Sequence, residues 1–387
     1  MKPTAIDRYI AGELVPVFGV SVAVFTLIFL THQLLDITNF IVNYGMGLGT
    51  VLLLLAYSTP QFLVYVIPIS TMMAVLLTFL RMSDDNEIVA LKSCGVSLYR
   101  LLYPVMAFCV LTGLLTLLMT VWGLPRGKTA FKQMSYAVIV SNPNIGIKER
   151  EFNSLLGGIT LYVGQFDKKT RILSDVFIED RRSAGTPVTI CAPSGALHFD
   201  LINPAIRLSL EGGTMYQVDL RARTSQVIRF ETYDINLNVQ RVLGVGSSAP
   251  KDEKEMTFDE LSAHIHAAKT SGAPHVQALM ELYKKISIPF ACLALGFLAL
   301  PLGVQARGRK TSSGIGLALV FFLVYYMVLS GGEIMGEAGV LHPALAMWLP
   351  DVVMAGLGLF LLGKASKDQS LREFVERLFL RVRSGLR

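Results

Sequence analysis

The sequence predicts an α-helical membrane protein with six transmembrane helices in a 3+3 arrangement, interrupted by an inserted β-sandwich or jellyroll-like domain. Three observations predict it. The 387-residue chain is 52% hydrophobic and only 17% charged, too apolar for an ordinary soluble domain and too charged to lie wholly in a membrane. Its apolar residues gather into six runs near 13–36, 51–80, 101–123, 285–305, 314–332 and 343–363, each about the 20 residues a helix needs to cross a bilayer. Between the third and fourth runs, the pattern changes to short alternating stretches broken by Gly, Pro, Asn and Asp, the mark of strands with one buried face.

The chain therefore divides into helices one to three (1–124) with a short polar helix near 83–95, a β domain (125–255), a helical linker (256–284), helices four to six (285–364) and a tail (365–387). The first apolar run is too long for a cleaved signal peptide, and no small-residue cleavage site follows it. Pro60 and Pro68 each remove a backbone donor from the second run and predict kinks there.

Charge sets the orientation. The connections "ITNFIVNYGMGLG" (37–49) and "EIMGEAGVLH" (333–342) hold no Lys or Arg. By contrast 81–100 carries Arg81, Lys92 and Arg100, 305–311 carries Arg307, Arg309 and Lys310, and the tail is rich in Arg. Basic short loops stay in the cytoplasm, so both termini are expected there and the 125–284 segment outside.

In that outer segment "ITLYVGQF", "LSDVFIED", "PVTICAPSGALHFD", "AIRLSLEGGTMYQV" and "QVIRFETYDINLNV" read as strands of a sandwich or jelly roll. "TFDELSAHIHAAKTSG" then takes a helical period, with Thr257 and Glu260 at capping-box spacing and Gly272 and Pro274 to end it. The four cysteines build no disulfide framework: Cys94 lies in a loop, Cys109 and Cys292 in spans, and Cys191 alone reaches the outer domain.

"PLGVQARGRKTSSG" (301–314) approaches a phosphate-binding P-loop, with Gly303 and Gly308 at the right gap, but Arg309 intervenes before Lys310 and Thr311. A P-loop also needs a buried strand leading into a helix N-terminus, and here apolar runs lie on both sides. A basic loop between membrane helices accounts for it.

"RMSDDNEIVALKSCGVSLYR" (81–100) is longer than two spans need to reconnect. Ser83 can cap a helix with Asp84, Asp85 and Glu87 in its first turn, Gly95 can close it, and Ile88, Leu91 and Lys92 share one face. Two readings stay open: a solvated loop, or a coupling helix that docks on a cytoplasmic ATPase and moves the spans. Glu333, Glu337 and His342 fit a solvated connection better than a metal or proton site, and His264 and His266 point to different helix faces. Asp351 lies inside the sixth span, either as a functional group or to satisfy donors freed by Pro350. The tail "SLREFVERLFLRVRSGLR" gathers Leu371, Phe374, Val375, Leu378, Phe379 and Val382 on one stripe, as in a helix lying on an anionic membrane surface or against an ATPase.

The 81–100 stretch resembles the segment after the second span of the lipopolysaccharide export permeases, the LptF/LptG family. "ELYKKISIPFACLALGFLALPLGV" (281–304), "ARGRKTSSGIGLALVFFLVYY" (306–326) and "MWLPD" (347–351) resemble its fourth span, its basic loop with the fifth span, and its Trp-x-Pro-Asn/Asp signature. Each motif is weak alone; four in order, with three spans on either side of an outer β domain, are specific.

The resemblance implies a permease subunit of an ABC-type exporter in the inner membrane of a Gram-negative bacterium, with a periplasmic β-jellyroll. The implied partners are a paralogous LptG-like permease, a cytoplasmic LptB-like ATPase dimer, LptC- and LptA-like bridge proteins and lipopolysaccharide. It implies no nucleic acid, no catalytic or metal site and no cofactor on this chain, ATP and magnesium belonging to the ATPase. It also implies coupling through Asp84, Asp85, Glu87, Leu91 and Gly95. Lipopolysaccharide is expected to enter between the first span of one permease and the fifth of the other. The family often carries Lys or Arg near the outer end of the first span, where "THQLLDITNFIVNYG" offers His32 and Asp36. Arg126, Lys128 and Lys132 are possible substitutes for phosphate contact, or interfacial anchors. Within the β domain Leu161, Val163, Ile206, Leu208, Ile228 and Phe230 are expected to face inward and line an acyl-chain groove or a closed core. "SCGVS" and the missing cations lean towards the F-type. The alternatives are a mechanotransmission-type ABC membrane subunit, which would place its outer domain after the first span, a membrane-anchored lipid-binding or interaction protein, and an intramembrane lipid enzyme.

Overall fold

The computed structural model describes residues 4–44, 47–141, 149–156, 159–167, 170, 172–180, 188–199, 205–219, 224–238, 251–271, 275–305 and 311–366. It falls into two units, Met1–His32 with Ser58–Gly127 and Glu253–Arg387 in one, and Gln33–Tyr57 with Lys128–Asp252 in the other. The amphipathic tail expected beyond Ser366 and the basic residues Arg307, Arg309 and Lys310 lie outside the described residues.

Among the described residues six helices are long and apolar enough to cross a membrane: Ala5–Leu35, Leu48–Asp84, Leu98–Val138, Val276–Gln305, Gly314–Glu337 and Pro343–Ala365; the first three extend past the bounds of the first unit. They belong to α1 (Ala5–Tyr44), α2 (Leu48–Asp84), the continuous run of α4 (Leu98–Leu118), a π turn (Met119–Gly123) and α5 (Leu124–Ser141), then α7 (Val276–Gln305), α8 (Thr311–Glu337) and α9 (Pro343–Ser366). A short α3 (Glu87–Ser93) joins the second and third spans, and α6 (Phe258–Ser271) precedes the fourth. α2 continues as one helix through Pro60 and Pro68.

The six spans are not equivalent. The apolar windows of α2 and α7 are 83% and 78% buried, whereas those of α1 and α8 are 11% and 22% buried. A helix apolar all round must be covered by protein or by lipid, so α2 and α7 form the axis of this unit and α1 and α8 keep apolar faces for something else. α2 and α7 approach closely because Gly303 has no side chain: a Cβ there would fall 2.8 Å from the Phe79 Cβ and 2.9 Å from the Leu76 carbonyl oxygen. α6 starts with the predicted capping box, the Thr257 N–H donating to Glu260 Oε2 at 3.0 Å and the Glu260 N–H to Thr257 Oγ1 at 3.4 Å. Leu261 and Ile265 of α6 then pack with Ala278 of α7.

The third span outruns its apolar run. Leu98–Val138 is one helix of 41 residues, about 60 Å long at 1.5 Å per residue and roughly twice the hydrocarbon thickness. The first strand therefore begins at Phe152, not directly after the span. Likewise Glu333 and Glu337, expected in a loop, occupy the last turns of α8.

The second unit holds a small helical cluster, in which Ile37, Val51 and Leu54 pack with Phe131 and Met134, and, among the described residues, an antiparallel sheet of eight strands, the number of a jelly roll. The strands are β1 (Phe152–Leu156), β2 (Ile159–Asp167), β3 (Ile172–Asp180), β4 (Val188–Phe199), β5 (Ala205–Glu211), β6 (Thr214–Asp219), β7 (Thr224–Arg229) and β8 (Thr232–Asn238). β4 branches the sheet: Val188–Cys191 pair with β6, and Ser194–Phe199 with β5. The break falls at Pro193, which has no N–H to donate. Pairing also skips Gly164 and Asp175 on β2 and β3, and Asp175 has φ 55°. A crease thus runs across three strands, and the leaves β5–β8 and β6–β7 leave β4 on either side of it. Leu161, Val163, Val176, Ile190, Leu208, Leu210 and Ile235 share the resulting core.

Candidate functional site

The helix expected at 83–95 is shorter and differently started. α2 runs to Asp84; Asp85 and Asn86 turn the chain, Asn86 at φ 62°. Asp84 and Asp85 therefore precede α3 and do not sit in its first turn. Ser83 is no cap: it is buried and donates its hydroxyl to the Val304 carbonyl at 3.2 Å, fastening α2 to α7. Glu87 does occupy the first turn of α3, where the helix dipole favours a carboxylate. Gly95, at φ 83°, closes α3: its N–H bonds the Lys92 carbonyl at 2.9 Å and the Val96 N–H bonds the Leu91 carbonyl at 3.0 Å, a Schellman cap.

α3 has two faces. Ile88, 3% exposed, and Leu91 pack against the helical core, so Leu91 anchors α3 to its own chain. Val89, 46% exposed, is the outward apolar side chain, with Ala90 and Ser93 beside it. Sequence reasoning grouped Leu91 with the coupling residues; on the exposed side of α3 the apolar side chain is Val89.

Sequence reasoning also missed what holds α3's surroundings. The N-terminal end of α1 meets both ends of the 81–100 segment. Asp7 Oδ2 accepts from the Thr4 N–H at 2.9 Å and the Thr4 hydroxyl at 2.8 Å, half a capping box. Arg100 Nη2 completes it, donating to Asp7 Oδ2 at 2.7 Å and Thr4 Oγ1 at 2.9 Å. Glu13 pairs with Arg81 at 2.7 Å. Between these, the Tyr9 hydroxyl lies 3.0 Å from both Glu87 oxygens. The Thr4-x-x-Asp7 spacing was a signal for the cap; nothing in the sequence pointed to its long-range partners.

On the flank of α1 an apolar cavity of about 520 Å³ opens between three helices. Val17, Val20 and Val24 of α1, Leu77 of α2 and Ile315 and Leu319 of α8 line it, with Ser21 as the polar exception. It lies between the two least buried spans, and its chemistry suits hydrocarbon.

Asp351 of α9 is buried and fully engaged. Ser287 of α7 is 2.6 Å from Asp351 Oδ2 and donates within 2.7 Å of the Met347 carbonyl; Tyr325 of α8 donates to Asp351 Oδ1 at 3.2 Å. Side chains of two other spans, not backbone donors near Pro350, are its partners. At the start of the fourth span the basic pair also turns inward: Lys284 meets Glu333 of α8 at 2.9 Å and buried Lys285 donates to the Met256 carbonyl at 3.0 Å.

The residues expected to meet lipid divide. His32 is exposed, and Arg126 is exposed with its guanidinium 5.5 Å from the Trp122 ring centroid, as in an interfacial anchor. Lys128 and Lys132 are half-buried on α5. Leu161, Val163 and Leu208 are buried in the β core, with Phe230 packed against it. The side chains of Asp36 and Ile206 lie outside the description. Ile228 is a correction: it is 47% exposed. It stands opposite Met215, which packs on the core, so the inner face becomes accessible at β7.

The chain is similar to known proteins over nearly its whole length. It is 22% identical over 360 residues to the lipopolysaccharide export system permease protein LptF of Escherichia coli (strain K12), covering 92% of this chain and 94% of that one. The LptF of Shigella flexneri matches over the same shares at the same identity. The uncharacterized protein RP871 of Rickettsia prowazekii (strain Madrid E) is 25% identical over 252 residues, 62% of this chain and 68% of that one. The profile of the lipopolysaccharide export system permease LptF/LptG family matches residues 8–364, which takes in every described membrane helix and the β sheet between them, and the chain belongs to that family.

Proposed function

We propose that this chain is one of two permease subunits of an ABC-type exporter that extracts lipopolysaccharide from the inner membrane and passes it to a periplasmic bridge. A separate cytoplasmic ATPase dimer of LptB type drives it, and ATP and magnesium bind there. The second permease is LptG-like, this chain taking the F-type place that its LptF relatives suggest, and the bridge is built of LptC- and LptA-like proteins. Both termini and the 81–100 segment then face the cytoplasm, and the β unit the periplasm. Gly303 supports the assignment of ATP hydrolysis elsewhere: it lies inside α7 against α2 and cannot begin a phosphate loop.

The observation that carries the reading is the uncovered apolar surface of α1 and α8 with the cavity between them. A lone membrane protein can leave such a surface to lipid; a subunit that moves acyl chains needs one. A photocrosslinker at Val24, in the complete complex in native membranes, is expected to capture lipopolysaccharide. Capture of phospholipid alone would remove the cavity from the route.

A further inference from the structure

Glu87 has a partner within its own chain, and that partner belongs to α1. Both carboxylate oxygens stand 3.0 Å from the single Tyr9 hydroxyl, which has one hydrogen to share between them. Arg100 and Arg81 hold α1 on either side of this contact through Asp7 and Glu13. The loop that joins the second and third spans thus grips the first span at three points, and the middle grip uses the side chain offered to the ATPase. Of the three carboxylates, Glu87 is the one held by a neutral hydroxyl, which Arg81 also reaches, and a carboxylate bonds a cation more strongly than it bonds a neutral phenol.

We propose that Glu87 serves two partners in turn: Tyr9 while α3 is undocked, and the ATPase once it docks, so that docking opens the middle of the three grips on α1 and leaves the Arg100–Asp7 and Arg81–Glu13 pairs to hold it more loosely. Tyr9 is then a positioning residue. It holds the Glu87 carboxylate in place and competes with the ATPase for it. This inference rests on the reading of α3 as the docking element. It adds that the first span, among the least buried of the described spans, is the element whose hold on the α3 loop is loosened by that docking.

The test uses the full permease complex in lipid nanodiscs and its purified ATPase. Tyr9→Phe removes only the hydroxyl and is expected to tighten ATPase binding by about two- to five-fold, the scale of one exposed polar contact. Spin labels at Gly12, where a side chain would meet nothing within 4 Å, and at exposed Cys94, just past the end of α3, report the separation of α1 from the α3 loop. That separation is expected to increase when the wild-type complex binds the ATPase, and to be already increased in undocked Tyr9→Phe. Glu87→Lys serves as the control and is expected to abolish binding. If Glu87→Lys abolishes binding while Tyr9→Phe binds as wild type or more weakly, or the label separation stays fixed on docking, the exchange is overturned and the docking reading stands. If Glu87→Lys binds as wild type, the docking reading itself fails.

Discussion

Ser287 and Asp351 lie 2.6 Å apart in the middle of the fourth and sixth spans, and Tyr325 of the fifth reaches the same carboxyl group. One acidic side chain thereby joins three helices through hydroxyls. Replacing it with leucine leaves Ser287 with the Met347 carbonyl alone and takes away the Tyr325 acceptor, at a cost of about 1–3 kcal/mol for the hydroxyl left unsatisfied. Asparagine keeps an acceptor for Tyr325 and a polar partner for Ser287, and is expected to cost less than about 1 kcal/mol. Thermal denaturation in detergent checks the order; equal losses in the two variants would mean the three-helix knot contributes nothing.

Gly303→Val is expected to destabilise the helical unit by about 1–3 kcal/mol through overpacking. The new side chain would meet the Leu76 carbonyl as well as Phe79, and backbone cannot move aside as a side-chain tip can. Gly12→Val, inside α1 at a site with nothing within 4 Å, is the matched control and should be neutral or stabilising by roughly 0.5 kcal/mol or less through helix propensity.

If the β unit carries acyl chains as proposed, the place it leaves open to them is an edge, not its sealed interior. Val163 and Leu208 are buried, and Leu208→Ala should cost about 2–5 kcal/mol as a core cavity. Ile228 shares its face with Met215 yet remains exposed. In the working exporter a photocrosslinker at Ile228 should capture lipopolysaccharide only when ATP is supplied, and one at Leu208 none. The reverse pattern would require the sheet to open through its core.

How much of this was legible depends on range. The spans were, because about 20 apolar residues in a row have few other fates. The α6 capping box was, because its partners stand three residues apart. α5 was not: Arg126, Gly127 and Lys128 look like the end of a span, yet the helix runs on to Ser141. The runs at 205–218 and 226–239 each hold parts of two strands, with Gly212–Gly213 and Phe230–Glu231 at the turns, a division that the alternating pattern alone does not count out. The contacts around α3 were beyond reach. Tyr9 and Glu87 are 78 positions apart and Asp7 and Arg100 are 93, and no periodicity encodes a pairing across two spans.

On the proposed reading, docking and transport meet at Glu87. Glu87→Lys leaves Ile88, Leu91 and the Gly95 cap in place, so α3 should still fold against the core. The most direct measurement is ATP-dependent transfer of lipopolysaccharide from proteoliposomes to a soluble bridge acceptor. The vesicles hold this chain, its sister permease and the ATPase. The wild-type complex should transfer lipid only with ATP, and the Glu87→Lys complex, folded and inserted, should transfer none. Transfer by Glu87→Lys at the wild-type rate, or none by the intact wild-type complex, would contradict the account.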